Sequence, residues 1–322
     1  MLGCAVYDNH MTDGVLKYGG LGNFDATNAP NGAANFAGSV YNGLSFCCTP
    51  IELLANDGSD KVVGTATGFF WRKDDKHYLV TNWHVVSGRN SFTSKLNPKG
   101  YVPKRLRYYT LSVSVQSGVV YLRRQKWGSE FTEEMYAVLA EPPQVDGQPI
   151  DICGFPIADN AVFGRDPSRT GFKGGPEASC LINDYSSRRI VTNVGDDCFI
   201  LGYPLRNYDG FMPPIWKRGS IASETPLGLD GRPIFLVDAA TTPGMSGSPI
   251  IRKVVTLTAD NKDIGAIEEF SNYEMIGVYA GRLDSPYLAA VNLGYGWYRS
   301  VIDRALDHYP WSPTNVVMES TE

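Results

Sequence analysis

The densest concentration of reactive chemistry lies in Ala239-Ala240-Thr241-Thr242-Pro243-Gly244-Met245-Ser246-Gly247-Ser248-Pro249-Ile250. Ser246 offers a hydroxyl nucleophile, with glycine two positions before it and one after. Without a Cβ at those places the backbone is free to turn tightly, so the amides of Gly244 and Ser246 can point at one spot. Two convergent N–H groups beside a hydroxyl make a hole for the oxyanion of acyl transfer. The same residues also suit an ordinary Gly/Ser/Pro turn between two strands, and the loop alone does not choose between these readings.

A serine hydroxyl is a weak nucleophile at neutral pH and needs a base, most often a histidine oriented by a carboxylate. The chain has 4 histidines. His10 lies in a Gly/Asn-rich opening, His77 begins a strand and His308 closes a helix, whereas His84 ends the run Thr81-Asn82-Trp83-His84 and is placed to face a cleft. A histidine after an apolar strand is often simply packed, so His84 alone is a candidate. Asp151, in the nearly apolar stretch 149–157, fits a poorly solvated orienting carboxylate; Asp238 is its rival, and a lone Asp also serves as a buried turn acceptor. One enzyme class drops out. A strand-to-helix nucleophile elbow needs Gly two places after the serine, and Ser248 stands there.

These candidates need rigid elements to hold them. Strand signals occur at 61–71, 77–82, 106–115, 119–127, 135–140 and 149–157, and again at 197–203, 215–223, 233–239, 248–257, 273–283 and 287–293. Six short strands per half point to an all-β chain of two antiparallel six-stranded barrels. Residues 297–308 have helical spacing, with Val301, Ile302 and Leu306 on one face. The expected organisation is a poorly ordered extension (1–44), a first barrel with His84 and Asp151 (45–165), a linker (166–193), a second barrel with Ser246 and the terminal helix (194–310), and a tail (311–322).

A net charge of −5 argues against a surface built throughout for nucleic acid. Locally, the stretch 89–126 carries nine Lys and Arg and no acid, from Arg89 to Lys126. Charged guards on an exposed strand edge explain such a run, and nucleic acid is an unlikely partner. The 6 cysteines have neither a C-x-x-C pair nor a nearby histidine, so no metal or cofactor is implied, and free thiols in a reducing compartment fit. No signal segment and no run of about 18 apolar residues occurs, which predicts a cytoplasmic protein with no membrane partner.

The motifs together resemble the chymotrypsin-fold serine peptidases. The run Thr81-Asn82-Trp83-His84-Val85-Val86, then Asp151, then Val237-Asp238-Ala239-Ala240 leading to Gly244-Met245-Ser246-Gly247-Ser248-Pro249, is most similar to the bacterial trypsin-like branch that includes the HtrA proteases. Val194-Gly195-Asp196-Asp197-Cys198-Phe199-Ile200-Leu201-Gly202-Tyr203-Pro204 resembles the opening strand of that family's second barrel, and the likeness covers roughly residues 60 to 308. The resemblance implies an endopeptidase acting on protein or peptide substrates, with a His84–Asp151–Ser246 triad and an oxyanion hole from the amides of Gly244 and Ser246. It places Ala240 at the floor of the specificity pocket beside Thr241, and Val278-Tyr279-Ala280-Gly281 on the strand that pairs with substrate. Without a fixed charge at Ala240 or Val278, a small or medium apolar residue is expected before the cut.

Departures from the family matter too. Met245 replaces the aspartate that zymogen-activated members pair with a new N-terminus, no cysteine flanks His84 or Ser246, and the expectation is a protease domain without a PDZ-like region after the second barrel. The alternative of a different class is a protease-like module that binds peptide or nucleic acid with little turnover.

Overall fold

The computed structural model describes residues 15–18, 33–36, 39–90, 92–97, 101–116, 119–157, 181–184, 192–204, 213–259, 267–282, 293–311 and 319–320. The opening, expected to be loosely ordered, contains the strands β1 (Val15–Tyr18), β2 (Ala33–Phe36) and β3 (Ser39–Asn42). Next come β4 (Cys48–Leu54), β5 (Val62–Lys73), β6 (Lys76–Thr81), the short helix α1 (Trp83–Ser87), β7 (Arg105–Gln116) and β8 (Val119–Glu130). Helix α2 (Glu133–Leu139), the small hairpin β9 (Gln144–Val145) and β10 (Gln148–Pro149), and β11 (Cys153–Ile157) complete the first half. The second half holds β12 (Asp197–Gly202), β13 (Ile215–Ile221), β14 (Ile234–Asp238), β15 (Pro249–Ala259), β16 (Ile267–Arg282), β17 (Leu293–Tyr298) and α3 (Ile302–Leu306). A last strand, β18 (Glu319–Ser320), returns to the first half.

The second half is a closed antiparallel barrel in the order β12-β13-β14-β17-β16-β15. The first is an open sheet, β1-β8-β7-β4-β5-β6-β11, so the expectation of two closed six-stranded barrels is corrected on one side. The outer edge of β8 pairs with β1 at residues 120–123 and with β18 at 127–128, which leaves no edge there for β11 to close upon. The strand count also shifts. The expected strand at 135–140 is α2, begun by the Thr132 hydroxyl accepting from the Met135 amide (3.3 Å) and by Glu133 and Glu134 in the first turn. Met135 and Leu139, four apart, bury one face of it. The strand that takes its place in the sheet is β4, whose half-buried, mixed residues give little periodic signal.

Period-two alternation places the cores. On β5, Phe70 joins the first-half cluster with Ile51, Leu79 and Trp83, while its neighbour Phe69 faces a cluster shared with Leu201, Ile251 and Trp297 of the second half. The second barrel is filled by Cys198, Ile200, Phe235, Val237 and Ile250. The expected helix at 297–308 begins later, because Trp297 and Tyr298 finish β17 and a 3₁₀ turn precedes α3. Its anticipated face, Val301, Ile302 and Leu306, is buried. Residues 287–292 of the expected strand at 287–293 and most of the linker 166–193 lie outside the described residues, and Leu293 begins β17.

Candidate active site

His84 sits one residue into α1, directly after β6 ends at Thr81. Its neighbour Trp83 is fully buried, with its indole N–H donating to Leu139 O (3.0 Å), which seats the helix against α2. β11 pairs antiparallel with β6 in the register Cys153↔Thr81, so the residues just before β11 lie beside the residues just after β6. Asp151 is thereby brought to His84. The turn at Asp146 and Gly147, both at positive φ (52° and 73°), feeds the chain back, and Ile150 N is held by Pro143 O (2.8 Å).

Asp151 is fully buried and uses both carboxylate oxygens on one partner. Oδ2 lies 2.7 Å from His84 Nδ1, and Oδ1 accepts from the His84 backbone amide at 2.8 Å. The Asn82 side-chain amide donates to the Asp151 carbonyl (2.8 Å) and fixes the backbone of the acid as well. Three influences act on the His84 imidazole: burial depresses its pKa, while the charge of Asp151 and the hydrogen bond to it raise the pKa, and the net direction is upward. Its other edge remains open, the side chain keeping 27% of its exposure.

The serine loop follows β14 and runs into β15. Gly244 and Gly247 take positive φ (101° and 84°), and a side chain would not fit at either. A Cβ on Gly247 would stand 2.1 Å from Thr67 O, and one on Gly244 2.4 Å from Tyr203 O. Met245 is buried, so the residue that departs from the zymogen pattern packs inside the second barrel with Tyr279 and Ile250. The loop's other groups are paired: Met245 N to Thr242 O (3.3 Å), Gly247 N to Tyr279 O (2.9 Å) and Ser248 N to Met245 O (3.0 Å). The amides of Gly244 and Ser246 donate to no acceptor among the described residues. Two N–H groups two residues apart, next to a half-buried hydroxyl, are therefore available to an incoming oxyanion. The Ser246 hydroxyl itself donates to Ala280 O (3.1 Å).

The remaining candidates divide. Ala240 is exposed. Thr241 is buried, its hydroxyl bonded to that of Tyr279 and its carbonyl to Arg282. Val278 is fully buried in the cluster that includes Met275 and Trp297, on the opposite face of β16 from Tyr279, so it packs core and lines no open pocket. β15 pairs with β16 only as far as Val278↔Pro249, so β16 runs on through Ala280 and Gly281 past its last pairing with β15. The rival Asp238 ends β14 exposed, paired with Ser220 and Leu293. His77 is within β6, His308 follows α3, and His10 is outside the described residues.

Sequence reasoning passed over Thr67 and Arg282, which carry no motif of their own, and took Asn82 only as part of the His84 run, with no role assigned to it. Of the basic stretch, Arg105 donates to Ala55 O (3.3 Å) and Arg107 pairs with Glu52 (2.6 Å); the side chains of Arg123, Arg124 and Lys126 lie outside the described residues. No group of His, Cys, Asp and Glu able to hold a metal ion occurs among the described residues, and no helix there is long and apolar enough to cross a membrane.

Comparison with known proteins adds a family. No curated protein matches the chain. Among solved structures it is similar to the Rv3671c protease of M. tuberculosis in its active form, at 16% identity over 80% of this chain and 78% of that one, with a TM-score of 0.32. An inactive form of the Rv3671c protease gives 14%, 80%, 85% and 0.30. Overlaps this loose carry no residue-level correspondence. The family model described as a trypsin-like peptidase domain matches residues 66–255, a span that holds His84, Asp151 and Ser246 and exceeds half of the 322 residues. The chain belongs to the trypsin-like peptidase domain family.

Proposed function

We propose that this chain is a serine endopeptidase working through His84, Asp151 and Ser246. Ser246 Oγ turns from Ala280 O toward His84 Nε2, which takes its proton as the oxygen attacks a peptide carbonyl. The Gly244 and Ser246 amides receive the oxyanion. His84 then hands the proton to the leaving amine, and water repeats the sequence on the acyl-enzyme. Asp151 holds the proton of His84 on Nδ1, so that Nε2 is free to accept. The observation that carries this reading is the two-point grip of a fully buried Asp151 on His84, 2.7 Å to Nδ1 and 2.8 Å to the amide. A histidine that merely packs has no use for an uncompensated carboxylate beside it.

Substrate backbone would add to β16 at Ala280 and Gly281, past its last pairing with β15. Ala240, exposed and uncharged, supports a small or apolar residue before the cut. Arg282, held at the Thr241 carbonyl, disfavours Lys or Arg there and favours a second reading, an acidic residue. We further propose that the halves 45–165 and 194–310 are the working units. Buried thiols at Cys47, Cys48, Cys153 and Cys198, none in a disulfide, support a reducing compartment.

A binding module with little turnover is favoured by one observation, the Ser246 hydroxyl bonded to Ala280 O. One experiment separates the readings. A fluorophosphonate probe should label wild type and lose its target in Ser246→Ala and His84→Ala, and a peptide library should be cut by wild type alone. Labelling that survives both substitutions would sink the assignment.

A further inference from the structure

Thr67, on β5 of the first half, is fully buried and spends every polar atom at the serine loop or beside it. Its hydroxyl donates to Gly244 O (2.8 Å) and accepts from Tyr203 N (3.0 Å). Its amide donates to Ser246 O (2.8 Å), and its carbonyl accepts from the Thr81 hydroxyl (2.8 Å). The two carbonyls that flank Met245 thus rest on a single residue from the other half of the molecule. The Tyr203 carbonyl in turn lies where a Gly244 side chain would be, 2.4 Å from its Cβ position, so the hydroxyl also holds the wall against which Gly244 packs.

A carbonyl shares its peptide plane with the amide of the following residue, so holding Gly244 O and Ser246 O fixes the 244–245 and 246–247 peptides, one on each side of the peptide that carries the Ser246 amide. With both peptides pinned to Thr67 and Met245 O held by Ser248 N, the Ser246 amide is bracketed, and it and the Gly244 amide are without an acceptor among the described residues. Glycine at 244 has the freedom to reorient its peptides, so this aim has to be imposed from outside the loop. We propose that Thr67 is the positioning residue of the oxyanion turn, its hydroxyl tying the 244–245 peptide to Tyr203 N and its amide tying the 246–247 peptide, so that the frame from which the two free amides project is held. The proposal rests on the triad reading above, because an oxyanion turn matters only to acyl transfer. Position-specific aim is worth most in the transition state, where the oxyanion exists, and little in the ground state.

The test compares full-length wild type, Thr67→Val and Thr67→Ser on a fluorogenic peptide that wild type cuts. Valine keeps the shape and leaves Gly244 O and Tyr203 N unpaired. It should lower kcat by about 10- to 100-fold with KM within about twofold, and weaken a peptide aldehyde inhibitor in parallel while the product peptide binds as before. Serine restores the hydroxyl and should stay within about threefold of wild type. A Thr67→Val enzyme with wild-type kcat, a loss shared by product-peptide binding, or a Thr67→Ser enzyme as slow as Thr67→Val would each overturn the proposal. If Thr67→Val does not fold, Thr67→Cys, with a poor donor of similar size, is judged by the same criteria. A wild type without turnover would overturn the triad reading and this proposal together; an active wild type matched by Thr67→Val overturns this proposal alone.

Discussion

Replacing Asp151 by asparagine removes one charge and keeps the shape, so the effect is set by how the remaining hydrogen-bonding groups share the site. The carboxylate serves two donors at once, His84 Nδ1–H at 2.7 Å and the His84 amide at 2.8 Å. An asparagine has one acceptor oxygen to offer them. If that oxygen keeps the backbone amide, the NH₂ faces Nδ1, which must then accept; the ring proton moves to Nε2, and the base can no longer take a proton from Ser246. If the oxygen keeps Nδ1, two donors meet in a fully buried place at a cost of about 1–3 kcal/mol. The first arrangement is the cheaper, so kcat should fall by about 10³- to 10⁴-fold, equivalent to about 4–5.5 kcal/mol of transition-state stabilisation. The pH profile supplies an independent readout. Activity needs neutral His84, whose pKa is raised on balance, so kcat/KM of wild type should climb through a pKa above the ordinary histidine value of about 6.5. In Asp151→Asn the depressing effect of burial is left alone, and the acid limb should move to lower pH. Stability depends on the same pair, with the sign set by a raised histidine pKa. The stabilisation is complete below the unfolded value of about 6.5 and lost as pH rises through the folded one, so the melting temperature of wild type should exceed that of the variant most on the acid side. An unmoved acid limb, or a kcat loss below about 10-fold, would refute the two-donor geometry at Asp151 as the source of the base.

Two further substitutions test the supports of the site. Gly247→Ala puts a Cβ 2.1 Å from the Thr67 carbonyl at a φ of 84°, and should abolish activity and lower stability by more than about 1 kcal/mol in a denaturant melt. Trp311→Ala removes a ring stacked on Phe155 and Tyr309 whose N–H donates to Gly154 O (2.8 Å). It should cost about 3–5 kcal/mol, seen as a lower melting temperature, with a kcat defect in the still-folded enzyme because β11 carries the approach to Asp151. An unchanged melt in either variant would mean that these contacts do not bear on the fold as described.

The proposed nucleophile and base stand out in the sequence because their signals are local: Gly244, Ser246 and Gly247 dictate a turn by backbone freedom, and His84 follows a clean strand. Asp151 stands out by polarity alone in an apolar stretch, and its preference over Asp238 becomes physical only with the Cys153↔Thr81 register. Thr67 is silent in sequence because a β-branched residue in a strand needs no further reason. Val278 has the right place in the motif for a pocket, yet facing on β16 is decided by pleat phase, and a shift of one residue turns a lining side chain into core. The segment 135–140 misleads for another reason. An apolar run of six residues fits a buried strand or two turns of helix, and the deciding cap, Thr132, lies just outside it.

The open first sheet has a consequence for how the molecule coexists with its own copies. An unclosed sheet offers two rows of unpaired backbone groups to any passing strand, the usual route to edge-to-edge association. Here one border, β8, is occupied by β1 and β18 in succession. At the other, β11, the carbonyls of Gly154 and of Ile152 just before the strand are taken by Trp311 and Tyr309. The segment after α3 therefore reaches both borders, sharing that of β8 with β1, as a hem along a fabric that was never sewn into a tube. Trimming the chain after α3 would bare β11 and the 127–128 stretch of β8 at once, and solubility would suffer together with the stability and kcat losses expected of Trp311→Ala.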